Sequence, residues 1–103
     1  SAYYKTILEY YIKFLKGYRY DNYWTGAKKA CDELGMSLPD TSKLRSLAKK
    51  TTAEKEQLGL PTYGYFWSSE FTAKNAYYMR FDAGYTGATD KYSGGNKVLC
   101  VGD

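Results

Sequence analysis

The segment YGYFWSSE, residues 63–70, decides how the fold of this chain is interpreted. Its four aromatic residues within five positions, followed by two serines and a glutamate, are typical of a β-strand. Trp67 can be interpreted as an aromatic platform for a ligand or as a core residue, and the high average burial of Trp favours the core. Alternation along the strand then places Tyr65 on the same face as Trp67 and Phe66 on the other face.

Two further strand-like runs follow this segment. The run AYYMRFDAG, residues 76–84, alternates, with Met79 on one face and Tyr78 on the other, and the run KVLCV, residues 97–101, is a short apolar strand. Between them, GYTGATDKYSGGN, residues 84–96, is polar and rich in glycine and is predicted to be a loop. Long loops in compact domains are often functional, so this loop is the first place to look for a ligand site.

The first part of the chain has helical spacing instead. Residues 3–16 carry apolar side chains at i, i+3, i+4 and i+7, which predicts an amphipathic helix. A second helix is predicted from about residue 23 to residue 34, with a buried stripe formed by Trp24, Ala27, Ala30, Cys31 and Leu34.

Capping residues mark two more helices. Asp40 or Thr41 begins the third helix, and Thr51 with Glu54 forms the pattern of a capping box that opens a short helix ending near Gly59. Helices therefore come first and an antiparallel sheet comes last. This order predicts an α+β fold with N-terminal helices packed on a small antiparallel sheet that carries a long Gly-rich loop.

Composition limits the classes of function. A length of 103 residues indicates one domain, and the net charge of +4 comes from lysines spread along the chain rather than from a stripe, so no nucleic-acid partner is predicted. The chain has no histidine, the commonest general base and metal ligand. No phosphate-binding or dinucleotide-binding motif is present. We therefore predict no enzyme and no cofactor.

Two other residue sets bear on chemistry. Cys31 and Cys100 are either free thiols of a cytosolic protein or one disulfide of an exported protein. Asp82, Asp90 and Asn96 surround the Gly-rich loop, but their spacing matches no calcium-binding loop, and turn formation explains the same residues. No metal site is predicted.

Four stretches taken in order resemble a known family. They are YWTGAKKACDELGMSLPDTSKLRSL (residues 23–47), FWSS (66–69), AYYMRFDAG (76–84) and VLCV (98–101). Together they resemble the bacterial DUF1566 family, whose domain is also found at the C-terminus of a Legionella collagen-like adhesin. The residues that carry the structural part of this pattern are Trp24, Leu38, Pro39, Trp67 and Phe81.

The same order resembles the wider C-type lectin-like fold. In that fold a cysteine of the first helix pairs with one in the final strand, so the resemblance implies a disulfide between Cys31 and Cys100. It also implies a protein that is extracellular, at the cell surface or periplasmic. The calcium motifs of sugar-binding lectins do not occur here, and Ser37 and Leu99 replace arginines that are usual in DUF1566, so calcium-dependent sugar binding is not implied.

The expected function is a non-catalytic binding or adhesion module whose ligand, a glycan or a surface protein, contacts the loop at residues 84–97. Exposed tyrosines in such a loop offer contact area at low entropic cost. The ligand-binding residues that we predict are Tyr85, Thr86, Asp90, Tyr92 and Asn96.

The N-terminal helix lies outside this resemblance. We divide the chain into residues 1–17, an N-terminal amphipathic helix interpreted as the remnant of a longer stem, and residues 18–103, the globular domain. A helix entering a small domain in this way also resembles the stem of a type IV pilin. The alternative function is therefore the structural head of a pilin or pseudopilin, with residues 3–16 packing in a fibre and the preceding segment anchored in a membrane.

Overall fold

A computed structural model of the chain describes residues 2–7 and 23–102, and it is built from five strands and three helices within those residues. In chain order the elements are β1 (Tyr3–Ile7), α1 (Tyr23–Glu33), α2 (Thr41–Ala48), α3 (Thr52–Leu58), β2 (Tyr65–Phe71), β3 (Asn75–Arg80), β4 (Tyr85–Asp90) and β5 (Val98–Gly102). The predicted α+β class is confirmed.

The strands form two antiparallel sheets. β2, β3 and β4 pair in that order as a meander, and β1 pairs with β5. A parallel bridge between Phe66 and Lys97 connects β2 to the segment that leads into β5, and an antiparallel bridge between Ser37 and Val101 connects β5 to the segment after α1. The first bridge therefore joins the two sheets, and the second joins β5 to the chain that follows α1.

Helices α2 and α3 begin where their capping residues predict, and α3 also ends at its predicted glycine. Asp40 is the N-cap of α2, and its carboxylate accepts a hydrogen bond of 2.7 Å from the backbone N–H of Lys43. Thr51 and Glu54 form a complete capping box at the start of α3. Gly59 ends α3 in the left-handed conformation, with φ of 74°, which glycine adopts without a steric penalty.

The core lies on both faces of the three-stranded sheet. On one face, Trp67 and Ala76 pack with Trp24, Ala27 and other residues of α1. On the other face, Phe66 and Met79 pack against residues of α2. The adjacent residues Phe66 and Trp67 are both 0% exposed, so β2 is buried on both of its faces, which explains the density of aromatic residues in this segment.

The residues that carry the family-like pattern are all buried. They are Trp24, Leu38, Pro39, Trp67 and Phe81. Trp67 therefore lies in the core rather than on a ligand-binding surface.

The disulfide between Cys31 and Cys100 is confirmed, with an S–S distance of 2.08 Å and a Cα–Cα distance of 5.3 Å. Both cysteines are 0% exposed and lie in the same cluster as Trp24 and Trp67. The bond therefore joins α1 to β5 inside the core.

The prediction of a helix over residues 3–16 is wrong for residues 3–7, which form β1. β1 pairs with β5 residue by residue, from Tyr3 opposite Gly102 to Ile7 opposite Val98. Backbone hydrogen bonds to a distant strand override the local helical spacing there. Residues 8–16 of that prediction lie outside the described residues.

Two smaller predictions also need correction. Leu34, placed on the buried stripe of the second helix, follows the end of α1 and is 47% exposed. The segment 84–97 is not a continuous loop, because residues 85–90 form β4, whose pairing with β3 satisfies its backbone groups.

Glu70 connects the end of β2 to the start of α2. Its Oε1 atom accepts a hydrogen bond of 2.8 Å from the backbone N–H of Thr41 and another from the Thr41 hydroxyl. Ser68 Oγ donates a third, weaker bond of 3.3 Å. The hydrogen bond from the Thr41 hydroxyl, followed by the one from the Thr41 backbone, lowers the pKa of Glu70 below its ordinary value of 4.5.

We expect removal of the disulfide to lower the free energy of unfolding by about 4 kcal/mol, because the bond closes a loop of roughly 70 residues in the unfolded chain. The test compares the protein with its Cys31→Ala/Cys100→Ala variant by urea unfolding. Non-reducing mass spectrometry is the control, and it should detect the 31–100 cross-link in the native protein. Two free thiols there would contradict the structure.

We expect Glu70→Gln to lower the free energy of unfolding at pH 7 by about 0.5–1 kcal/mol. The effect is small because Glu70 is exposed and solvent screens the charge that strengthens its hydrogen bonds to Thr41. Because the folded-state pKa of Glu70 is lowered, this stabilisation is present above the unfolded value of 4.5 and is lost as the pH falls through the folded value. Urea unfolding at several pH values should show the two proteins converge in acid. Glu56→Gln, at an exposed position of α3, is the control and should leave the stability at pH 7 unchanged.

Candidate functional site

Three tyrosines from three neighbouring strands form a row on one face of the β2–β4 sheet. The ring centroids of Tyr65 and Tyr78 are 5.7 Å apart, and those of Tyr78 and Tyr85 are 6.3 Å apart. The pairing register explains the row, because Tyr65 and Tyr85 both lie opposite Arg80 of the central strand. All three belong to the face that carries Trp67, away from α2.

Gly87 allows Tyr78 to lie across β4. The two residues are directly opposite in the register, and a Cβ atom at Gly87 would come within 2.7 Å of Tyr78 Oη and 2.9 Å of its Cζ. Interaction with the Tyr85 hydroxyl, together with burial, raises the pKa of Tyr78. At neutral pH Tyr78 is therefore an uncharged aromatic surface.

Arg80 and Asp82 form the charged end of this row. Arg80 Nη2 lies 3.1 Å from Asp82 Oδ2, and the Arg80 guanidinium lies 5.8 Å from the centre of the Tyr65 ring. The hydrogen bond from Arg80 lowers the pKa of Asp82. The two charges neutralise each other, which leaves Arg80 as a flat group beside Tyr65.

A cleft of about 310 Å³ opens beside the row. It is lined by six residues, all uncharged, and we refer to it as the tyrosine cleft: Tyr65, Tyr78, Thr89, Ser93, Gly95 and Asn96. Two backbone hydrogen bonds position its far wall, because Lys97 N donates to Tyr65 O at 2.8 Å and Trp67 N donates to Lys97 O at 3.0 Å.

Asn96 is the unusual member of the tyrosine cleft. The residue is only 6% exposed, and its Nδ2 atom is buried with no hydrogen-bond partner among the described residues. A buried amide without a partner costs about 1–3 kcal/mol of stability. Because the Nδ2 atom has almost no accessible surface, an acceptor atom of a ligand would satisfy it only after the amide turned toward the cleft.

Two other cavities are weaker candidates. One of about 370 Å³ is lined by Thr6, Leu60, Tyr63, Lys97 and neighbouring residues. It borders the end of β1, next to residues 8–22, which are not among the described residues. The other, of about 350 Å³, lies between α2 and the turn after β3, and none of its described lining residues carries an unpaired buried side-chain atom.

The structure separates the five residues predicted to bind a ligand. Asn96 lines the tyrosine cleft, and Tyr85 extends the row of rings beyond Tyr78. Thr86 lies on the opposite face of β4, where it is paired with Met79. Asp90 accepts a hydrogen bond of 2.7 Å from the backbone N–H of Tyr92, whose side chain is 66% exposed and lies outside the cleft.

The sequence predicts one wall of the cleft and misses the other. Thr89, Ser93 and Gly95 lie in the segment 84–97 that is predicted to contact a ligand but are not among its named residues, and Tyr65 and Tyr78 lie outside that segment. The signal for Tyr78 was present, since alternation put it on the face away from Met79. What was missing was the position of the segment after β4, which the bridge from Phe66 to Lys97 places beside β2.

Two kinds of feature are absent from the described part of the chain. Within residues 2–7 and 23–102, no group of three or more His, Cys, Asp or Glu side chains could hold a metal ion. The same ranges contain no helix long and apolar enough to cross a membrane.

We expect Gly87→Ala to displace the Tyr78 ring, because the added methyl group cannot occupy the same space as the phenol group. The pKa of Tyr78 should then return toward its ordinary value, while the free energy of unfolding changes by less than about 1 kcal/mol, since alanine suits a strand better than glycine. Tyrosine titration by NMR measures the first effect and urea unfolding the second.

Gly95→Ala is the matched control for this experiment, since a Cβ atom there would meet no atom within 4 Å. If Gly87→Ala left the pKa of Tyr78 as high as in the original protein, the packing of Tyr78 over β4 would be refuted.

A family model described as a domain of unknown function (DUF8780) matches residues 17–102. The resemblance to DUF1566 is therefore wrong, and the C-type lectin-like fold inferred with it has no support. The shared pattern consists of buried residues and two cysteines, which many small disulfide-linked α+β domains need for their core. No significant match was found among curated proteins or among solved structures.

Proposed function

Because the chain belongs to the DUF8780 family, whose function is unknown, we propose a function from its site: a non-catalytic extracellular module that binds a glycan in the tyrosine cleft. The unpaired, buried amide of Asn96 is the observation that carries the proposal. Asn96 lines the tyrosine cleft together with Tyr65 and Tyr78.

The groups around the cleft suit a sugar. Ligand sites combine an apolar or aromatic lining with a few polar groups that fix orientation. Tyr65 and Tyr78 supply aromatic surface, and the hydroxyl groups of Thr89 and Ser93 both donate and accept hydrogen bonds. A sugar ring offers the complementary combination of C–H faces and hydroxyl groups.

The size and charge of the cleft favour a glycan over a protein ligand. A volume of about 310 Å³ is at the lower end for small-molecule sites, and all six lining residues are uncharged. A stable protein complex instead needs about 800 Å² of buried surface from each partner. A partner protein remains the second outcome of the binding test.

The disulfide supports an extracellular or periplasmic location for this module. Disulfides persist in oxidising compartments and are rare in the cytosol. The bond between Cys31 and Cys100 is buried in the core, where it is part of the fold.

No observation favours the alternative of a pilin head. That function required residues 3–16 to form a helix that packs in a fibre, and residues 3–7 are instead paired with β5 inside the domain. We therefore do not pursue it.

We expect the protein to bind at least one oligosaccharide on a glycan array, and Tyr65→Ala and Asn96→Ala to weaken that binding by about tenfold or more, the equivalent of one lost hydrogen bond or ring contact. Tyr77→Ala is the matched control, because Tyr77 is 38% exposed against 40% for Tyr65 but lies on the opposite face of the sheet.

Stability measurements distinguish a binding role of Asn96 from a structural one. If the amide serves a ligand, Asn96→Ala should leave the free energy of unfolding unchanged or raise it by up to about 1 kcal/mol, because it removes an unpaired polar group. A loss of stability would assign Asn96 to the fold. Binding that survives both substitutions, or binding to proteins alone, would refute the proposed function.

A further inference from the structure

Two lysines and two aromatic rings form a compact cluster near one end of the cleft-bearing face. The lysine–aromatic cluster consists of Trp24 and Lys28 of α1, Phe71 at the end of β2, and Lys91, which follows β4. The ring centroids of Trp24 and Phe71 are 4.7 Å apart. Trp24 and Lys28 are four residues apart on α1 and therefore lie on the same side of that helix.

Both ammonium groups lie over the same two rings. Lys28 Nζ is 5.0 Å from the Trp24 centroid and 5.8 Å from the Phe71 centroid. Lys91 Nζ is 4.7 Å and 4.6 Å from the same two centroids. Each distance is within the range of a cation–π interaction.

The positive charges of this cluster have no carboxylate partner within residues 2–7 and 23–102. Neither Lys28 nor Lys91 forms a salt bridge with a carboxylate of the described residues; the Lys91 ammonium group donates only a long bond of 3.4 Å to the Ala73 carbonyl. The adjacent Asp90 lies on the other face of β4 by its register, opposite Asn75.

An anion would relieve the repulsion between these two lysines. Two like charges that share the same pair of rings repel each other, and an anionic group placed between them gains from both. The uncovered ring beside them, Phe71, is 56% exposed, while Trp24 is only 4% exposed. The surface therefore offers an anion-binding point next to an apolar face.

This cluster is close to the tyrosine cleft. Lys91 is two residues from Thr89 and two residues from Ser93, both of which line the cleft. Because consecutive Cα atoms are about 3.8 Å apart, the Cα atom of Lys91 lies within roughly 7.6 Å of both. The segment that carries Lys91 is therefore continuous with the residues that line the cleft.

We propose that the glycan bound by this domain is acidic, and that Lys28 and Lys91 bind its carboxylate or sulfate group while a neighbouring sugar occupies the tyrosine cleft. This inference rests on the proposed function and names its ligand class. The positive net charge of +4 is consistent with an anionic polysaccharide as the partner.

The experiment measures the affinity of the full chain for three oligosaccharides of equal length: a neutral glucan, a polyuronate and a sulfated galactan. The double variant Lys28→Gln/Lys91→Gln is compared with Lys43→Gln/Lys49→Gln, which removes two exposed charges from α2 and its C-cap. Both variants lower the net charge by the same amount, so they separate a local site from a general charge effect.

The original protein should bind one acidic oligosaccharide roughly tenfold more tightly than the neutral one, as expected for two partly exposed charge-assisted contacts, and that preference should weaken with added salt. The Lys28/Lys91 variant should lose the preference, and the Lys43/Lys49 variant should keep it. The polyuronate and the sulfated galactan distinguish a carboxylate from a sulfate as the bound group.

Four results would overturn this inference, and they separate it from the proposed function. If the protein binds the neutral glucan in the cleft and does not prefer an acidic oligosaccharide, only the claim that the ligand is acidic is refuted. The same claim is refuted if the Lys28/Lys91 variant still prefers an acidic oligosaccharide. If the lysine substitutions abolish binding of the acidic oligosaccharide but Tyr65→Ala and Asn96→Ala leave it unchanged, the claim that a sugar binds in the tyrosine cleft is refuted. Binding to anionic lipid vesicles, with no binding to any oligosaccharide, refutes both.

Discussion

The disulfide between Cys31 and Cys100 is the constraint on which the arrangement of this domain depends. It joins α1 to β5 across a sequence separation of 69 residues and lies in the core with Trp24 and Trp67. A chain of 103 residues builds only one modest core, so a cross-link that closes a long loop adds substantially to its stability. Because α1 is fixed in this way, Trp24 Nε1 can donate a hydrogen bond of 2.7 Å to Ser68 O, and α1 presents Lys28 beside Phe71. The candidate anion site therefore depends on the same bond as the core.

The elements that could be predicted from the sequence are those with local signals. Asp40, the pair Thr51 and Glu54, and Gly59 mark helix ends through contacts within a few residues, and the structure has those ends. β1 could not be predicted in this way, because its strand conformation comes from pairing with β5, almost one hundred residues away. β4 was missed for a related reason: Gly87 indicates a loop by composition, whereas its lack of a side chain is needed to accommodate Tyr78 of the neighbouring strand.

The candidate site was predicted only in part, and the cause is again long-range geometry. Asn96 and Tyr85 were found because polar and aromatic residues in a Gly-rich segment indicate binding, but Tyr65 and Tyr78 come from strands that the prediction treated as framework. No local pattern shows that the segment before β5 returns beside β2. The family resemblance was wrong for a different reason. Buried residues such as Trp24 and Trp67 indicate how a core is packed, and they do not identify a family.

Two buried nitrogen atoms without partners, Trp67 Nε1 and Asn96 Nδ2, show why the tyrosine cleft differs from the core. Burying a large aromatic side chain gains about 4–6 kcal/mol at 25 cal/mol per Å², which exceeds the 1–3 kcal/mol cost of one unpaired N–H group. Packing alone therefore accounts for Trp67. Asn96 has little apolar surface to offset the same cost, and it borders a cavity rather than the closed core. Under the proposed function, a small apolar residue at position 96 is therefore expected to make the free domain more stable, because it removes the unpaired amide.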